Sequence, residues 1–158
     1  MATRAELFDA VCAYMNEQKW KYEYNEERTM ILSVIKLQCK LQTIRILIAF
    51  GENEFAVFGI PNMNADENTK NTVMEYITKI NLGMRNGNFL LNPENGEVRY
   101  RTYVNARGID TIPNDVIGET ILVPAMMIDR YGNGLAALMM GYSDPDTEIA
   151  NAHKIKAN

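Results

Sequence analysis

Histidine is nearly missing from this 158-residue chain: the single one, His153, falls in a polar stretch behind the last apolar run. Ser/His/Asp and Cys/His catalysis both need an imidazole held beside its nucleophile, and a general base needs a shaped site with a partner. A lone histidine in a polar stretch reads as solvated. Cysteine is almost as scarce. Cys12 and Cys39 form no CxxC pair and sit in no Cys/His cluster, so spacing supports neither a zinc site nor a redox pair. Both read as reduced thiols packed like small hydrophobes, which points to a reducing compartment. Walker-type and dinucleotide-type glycine patterns are missing too. Positive charge is the minority sign, with 16 Lys and Arg against 20 Asp and Glu, a net charge of -4. Phosphate contacts supply most nucleic-acid affinity, so this balance argues against such a partner. Long apolar runs are lacking as well. The longest, Ile121–Ile128, contains Pro124 and is too short to span a bilayer. The charged stretch Met1–Glu6 offers no leader-like run. The expectation is a cytoplasmic protein with no membrane association, no metal and no cofactor.

What is present is ordinary for a folded domain: 47% hydrophobic and 23% charged residues, close to the globular average. Residues 1–143 are expected to form a single α+β domain and 144–158 a polar, mobile tail. Leu7, Phe8, Val11, Cys12 and Met15 recur at helical spacing over Arg4–Gln18, with Thr3 as N-cap. Trp20, Tyr22 and Tyr24 then alternate as in a half-buried strand. Thr29–Cys39 is apolar on both faces over its first half, which predicts a central strand covered on both sides. A third strand carries Ile44, Ile46, Ile48 and Phe50 on one face, and a fourth runs over Glu54–Ile60. Their short links favour an antiparallel meander. A helix is predicted over Asp66–Arg85, capped by Asn64 or Asp66 and stopped at Gly87. A hairpin follows, Asn88–Asn92 with Glu97–Asn105, turning at Asn95-Gly96 where both residues tolerate positive φ. The last element runs from Pro113 to Tyr142, with a bend or break at Pro124 and a weak point at Gly132-Asn133-Gly134. The order α-β-β-β-β-α-β-β-α predicts helices packed on a largely antiparallel twisted sheet.

Candidate functional residues are few. The carboxylate pairs Glu26/Glu27 and Asp144/Asp146 lie in polar segments and read as solvated surface. Arg99 and Arg101 share one face of a strand with Tyr103 between Arg101 and the strand end, forming a stripe suited to an anion, a ligand or nucleic-acid phosphates. An ordinary solvated sheet face paired with Glu94 or Glu97 is the competing reading. The last helical segment is apolar around its whole circumference. A helix on a single sheet needs one apolar face, so the excess needs a second layer or a second chain. Leu122, Met126, Met127, Leu135, Met139 and Met140 are the expected interaction surface, and methionine suits adaptable contacts.

The chain resembles the YbjN-type family of bacterial sensory transduction regulators. The resemblance rests on Ile80-Asn81 leading to Gly87-Asn88-Phe89, on Gly96-Glu97-Val98-Arg99-Tyr100-Arg101, and on Asp129-Arg130-Tyr131, and it extends from the first helix to about Gly141. It implies a fold like that of type III secretion chaperones: small, acidic, cytoplasmic homodimers that bind extended client segments and have no catalytic site. An interruption at Pro124 or at Gly132–Gly134 would depart from the family's continuous last helix. The resulting expectation is a non-enzymatic interaction module, chaperone-like or a regulatory adaptor, dimeric and with a protein client. The alternative is a small-ligand sensor or an unrecognised enzyme whose pocket is lined by Arg99, Arg101, Tyr100 and Tyr103.

Overall fold

A computed structural model describes residues 1–157. The element order is α1 (Arg4–Glu17), β1 (Glu23–Tyr24), β2 (Met30–Lys36), β3 (Thr43–Phe50), β4 (Glu54–Pro61), α2 (Lys70–Asn81), β5 (Asn88–Leu91), β6 (Val98–Asn105), α3 (Asn114–Met139) and α4 (Pro145–Ala157). The fold class is α+β. The strands form one antiparallel sheet in the order β1-β2-β3-β4-β6-β5. The expected sequence of elements is present, with one helix more than expected.

Local chemistry accounts for most boundaries. Thr3 caps α1 through a reciprocal capping box: the Glu6 amide donates to Thr3 Oγ1 at 3.3 Å and the Thr3 amide to Glu6 Oε2 at 2.8 Å. The second helix starts four residues later than its periodicity suggests. The Asp66 carboxylate accepts from the Asn68 and Thr69 amides, both at 2.9 Å, and so closes a separate turn before Lys70. It ends at Asn81, whose side chain pairs with the Phe89 backbone at 2.8 and 3.0 Å and ties the helix to β5. Gly87 opens β5 rather than closing α2. In the β5–β6 turn only Gly96 takes positive φ, at 74°; the loop is six residues long, and Asn95 instead accepts from the Glu97 amide.

The inner face of the sheet carries Ile31, Ile44, Ile46, Ile48, Phe55, Val57, Phe89, Val98 and Tyr100, all buried. Helices α1 and α3 pack across this face, α2 packs against β5 and α3, and α4 packs on α2 and α3. The last helix is continuous through Pro124, contrary to the expected bend or break. Proline has no N–H to give the Thr120 carbonyl. The Thr102 hydroxyl of β6 supplies that donor instead, at 2.6 Å, with Thr102 1% and Thr120 5% exposed. The replacement bond also ties the helix to the sheet.

Gly132 and Gly134 do not weaken α3 either; both are buried within it. A Cβ on Gly132 would lie 2.5 Å from Cys39 Sγ, and one on Gly134 would lie 2.4 Å from the Tyr76 hydroxyl oxygen. These positions admit neighbouring elements at close range. On either side of Gly132, Asp129 accepts from the Gln38 and Cys39 amides and Asn133 from the Lys40 amide, each at 2.8 Å. The β2–β3 loop is thereby clasped to α3.

The segment expected to be a tail is helical from Pro145 to Ala157; Asn158 lies outside the described residues. Asp144 caps it, accepting from the Thr147 amide at 2.9 Å and the Thr147 hydroxyl at 2.7 Å. Proline follows at the first helical position and acidic residues fill the first turn, a start signal readable in the sequence. Ala152 is buried, and Asp146 pairs with Lys79 of α2 at 2.8 Å. No described helix is long and apolar enough to cross a membrane.

Candidate functional site

The helices all pack toward one face of the sheet, and among the described residues the other face has no layer of its own. On β2 the outward residues Met30, Leu32 and Val34 are 39%, 45% and 64% exposed, while Ile31 between them is fully buried. The strand expected to be covered on both sides is therefore covered on one. Alternating apolar residues report that a face is greasy without saying what lies over it. Half-buried Leu47, Ala49, Ala56 and Phe58 extend the patch across β3 and β4.

Strand register arranges this face in rows. The middle row reads Glu23, Leu32, Leu47, Phe58, Arg101 across β1, β2, β3, β4 and β6. Its centre is apolar, Glu23 and Arg101 flank that centre with opposite charge, and the row ends beyond Arg101 at Asn88 of β5. Glu23 and Arg101 are each two strands, about 10 Å, from Leu47. Both are exposed, and neither enters an ion pair among the described residues.

Arg99, Arg101 and Tyr103 lie together on this outer face, as their alternation implies. Arg99 Nε pairs with Glu97 at 2.5 Å, and its guanidinium stands 5.5 Å from the centroid of the Phe58 ring, shielding that ring's edge of the patch. Tyr103 donates to the Glu54 carboxylate, which pushes its phenol pKa up. Tyr100 points to the opposite face. It is buried, donates to the Asn86 carbonyl at 2.5 Å, and burial raises its phenol to about 12. The four residues of the alternative pocket thus stand on two sides of the sheet, and no one cavity holds them all.

The six residues expected on the interaction surface of α3 divide as well. Leu135 is fully buried and Met139 is 5% exposed, both inside the chain. Leu122, Met126 and Met140 are exposed, and Met127 is half-buried. Most of the helix's apolar excess is met internally, because α4 supplies the layer that a polar tail would not.

Chemistry-bearing groups are dispersed. Cys39 is buried and Cys12 half-buried, both free, and desolvation raises the pKa of each thiol. A thiol held neutral is a poor nucleophile. Among the described residues no three His, Cys, Asp or Glu side chains gather to hold a metal ion. His153 is not a free-standing tail residue: its Nε2 lies 3.2 Å from the Tyr131 hydroxyl. Asp144 and Asp146, read as solvated, serve as a helix cap and an ion-pair partner.

Comparison with known proteins follows from this geometry. The model of the YbjN family, described as "Putative bacterial sensory transduction regulator", matches residues 7–137. That span runs from the first buried leucine of α1 almost to the end of α3 and takes in the whole sheet. No curated protein matches the chain.

Proposed function

Because the chain belongs to the YbjN family, we propose that it is a non-enzymatic regulatory adaptor, cytoplasmic, that works as a homodimer joined through the outer face of its sheet. The row Glu23–Leu32–Leu47–Phe58–Arg101 carries this reading. A twofold axis along the strands at Leu47 sets Leu47 on its own copy, Leu32 on Phe58 and Glu23 on Arg101. Such a face is self-complementary, as an isologous interface must be. Two sheets stacked this way would form a sandwich with a spacing of about 10 Å. Because β1 adds only two residues, the base of this face is β2, β3, β4 and β6 by seven residues, roughly 19 by 23 Å, or roughly half the ~800 Å² per partner of a standard interface. A dimer built on the sheet leaves Leu122 and Met126 of α3 uncovered.

Sedimentation equilibrium of the full chain tests the proposal. The wild type is expected to be a dimer and Leu32→Glu a monomer of unchanged circular dichroism. Glu23→Arg and Arg101→Glu should each weaken the dimer, and the double exchange should restore it, since only a contact between those two positions is repaired by swapping both. A monomeric wild type, or a dimer indifferent to Leu32→Glu, would overturn the arrangement.

A further inference from the structure

On the other side of the molecule, α2, α3, α4 and the loop between α2 and β5 enclose a groove of about 770 Å³, within the range of small-molecule sites. Its floor is buried and apolar or aromatic: Ile80, Tyr100 and Tyr131. Met127, half-buried, forms part of a wall. The charged residues of the lining are all of one sign. Lys79, Arg85 and Arg130 are there with His153, and the lining contains no Asp or Glu, although acids outnumber bases in the chain as a whole. The carboxylates that reach this rim, Glu75 and Asp146, are engaged by Lys79 at 3.2 and 2.8 Å.

Neither Arg85 nor Arg130 enters an ion pair among the described residues, and Arg130 is the one of the two with an orphaned buried nitrogen. Its Nε is buried and has no hydrogen-bond partner among the described residues. Its guanidinium stands 5.1 Å from the centroid of the Tyr131 ring, whose hydroxyl meets His153. A buried donor without an acceptor is costly, and native structures rarely leave one. The planar fork of arginine suits an oxyanion. We propose that this groove binds a small organic anion with an apolar body: the head pairs with the Arg130 guanidinium, and the body lies over Tyr100, Tyr131 and Met127. The site faces away from the sheet's outer surface, so the inference does not depend on the mode of dimerisation.

Calorimetry on the full chain tests it with four probes: octanoate, octyl phosphate, octanol and inorganic phosphate. At least one of the two amphipathic anions should bind at least tenfold more tightly than octanol or inorganic phosphate, and the pair ranks carboxylate against phosphate heads. Arg130→Gln should weaken that binding at least tenfold, and Arg130→Lys, which keeps the charge but loses the fork, should weaken it by less. Met127→Glu, which places a carboxylate on the wall, should abolish it. Circular dichroism checks that each variant is folded. Leu32→Glu, on the opposite side of the sheet, should bind as the wild type does. The proposal is overturned if neither anion binds, if octanol binds equally well, if folded Arg130→Gln binds undiminished, or if Leu32→Glu removes binding.

Discussion

Replacing Thr102 by valine tests how a proline is accommodated in the middle of the longest helix. The two side chains have nearly the same shape, and both suit a strand, so the substitution deletes little more than a hydroxyl. That hydroxyl is the donor to the Thr120 carbonyl at 2.6 Å, in a place where Thr102 and Thr120 are 1% and 5% exposed. Pro124 has no N–H with which to take over. Valine therefore leaves a buried carbonyl without its donor, at a cost of about 2 kcal/mol. For a chain of this size the melting temperature should fall by about 4–8 °C. Urea denaturation followed by far-ultraviolet circular dichroism, at one fixed protein concentration because any dimer couples stability to mass action, gives the number. The decisive comparison repeats the substitution in a Pro124→Ala background. There residue 124 has an amide that reaches the Thr120 carbonyl in the ordinary helical manner, and Thr102→Val should cost only about 0.5 kcal/mol, a coupling of about 1.5 kcal/mol. A neutral Thr102→Val, or an equal cost in both backgrounds, would refute the account of the helix's continuity.

Gly132→Ala sets helix propensity against packing. Alanine gains about 1 kcal/mol in a free helix, but its Cβ would lie 2.5 Å from Cys39 Sγ, in a loop held by three 2.8 Å bonds to Asp129 and Asn133; a net loss of about 2 kcal/mol is expected from overpacking. Adding Cys39→Ala removes the obstructing sulfur, and urea melts should show the double variant as no less stable than Cys39→Ala alone. The Asp144 cap should leave a pH signature. The Thr147 amide and hydroxyl hold its carboxyl below the ordinary carboxylate range, so its contribution to α4 is complete above that range and is lost as pH falls through the lowered folded value. Protection factors of the α4 amides, hydrogen exchange relative to its intrinsic rate at each pH, should fall there, and Asp144→Ala should show the low protection at every pH; wild-type protection in that variant would remove the cap from the account.

The sheet and its inner face were readable because alternation is a local property. Ile44, Ile46, Ile48 and Phe50 mark one side of β3 with no help from the rest of the chain, and they are buried as read. The same pattern misled on β2, where Met30, Leu32 and Val34 are as apolar as a covered face yet have nothing over them. Whether a face is covered depends on how many helices cross the sheet and on which side, which no window of sequence contains. The glycines near the end of α3 misled for a related reason: propensity weighs a glycine against water, whereas Gly132 and Gly134 are set by what stands opposite them, Cys39 and Tyr76. The helix after Ser143 is a different kind of miss. Its start signal, Asp144-Pro145-Asp146-Thr147-Glu148, was present, and polarity outweighed it.

The candidate sites divide along the same line. Alternation alone brought Arg99, Arg101 and Tyr103 to one face, and it equally put Tyr100 on the other, where no pocket could unite them. Arg130 drew notice only as part of a family motif; its unpartnered nitrogen is a relation among α2, α3 and α4.

Periodicity, capping and turn chemistry act over a few residues, so the chain by itself determined its class, the order of its first nine elements and the residues of its inner face. Register across five strands and packing across three helices join residues dozens of positions apart. Tertiary structure alone decided that Glu23 and Arg101 flank one apolar row, that Thr102 stands in for the amide Pro124 lacks, and that a groove of one charge sign opens behind the sheet.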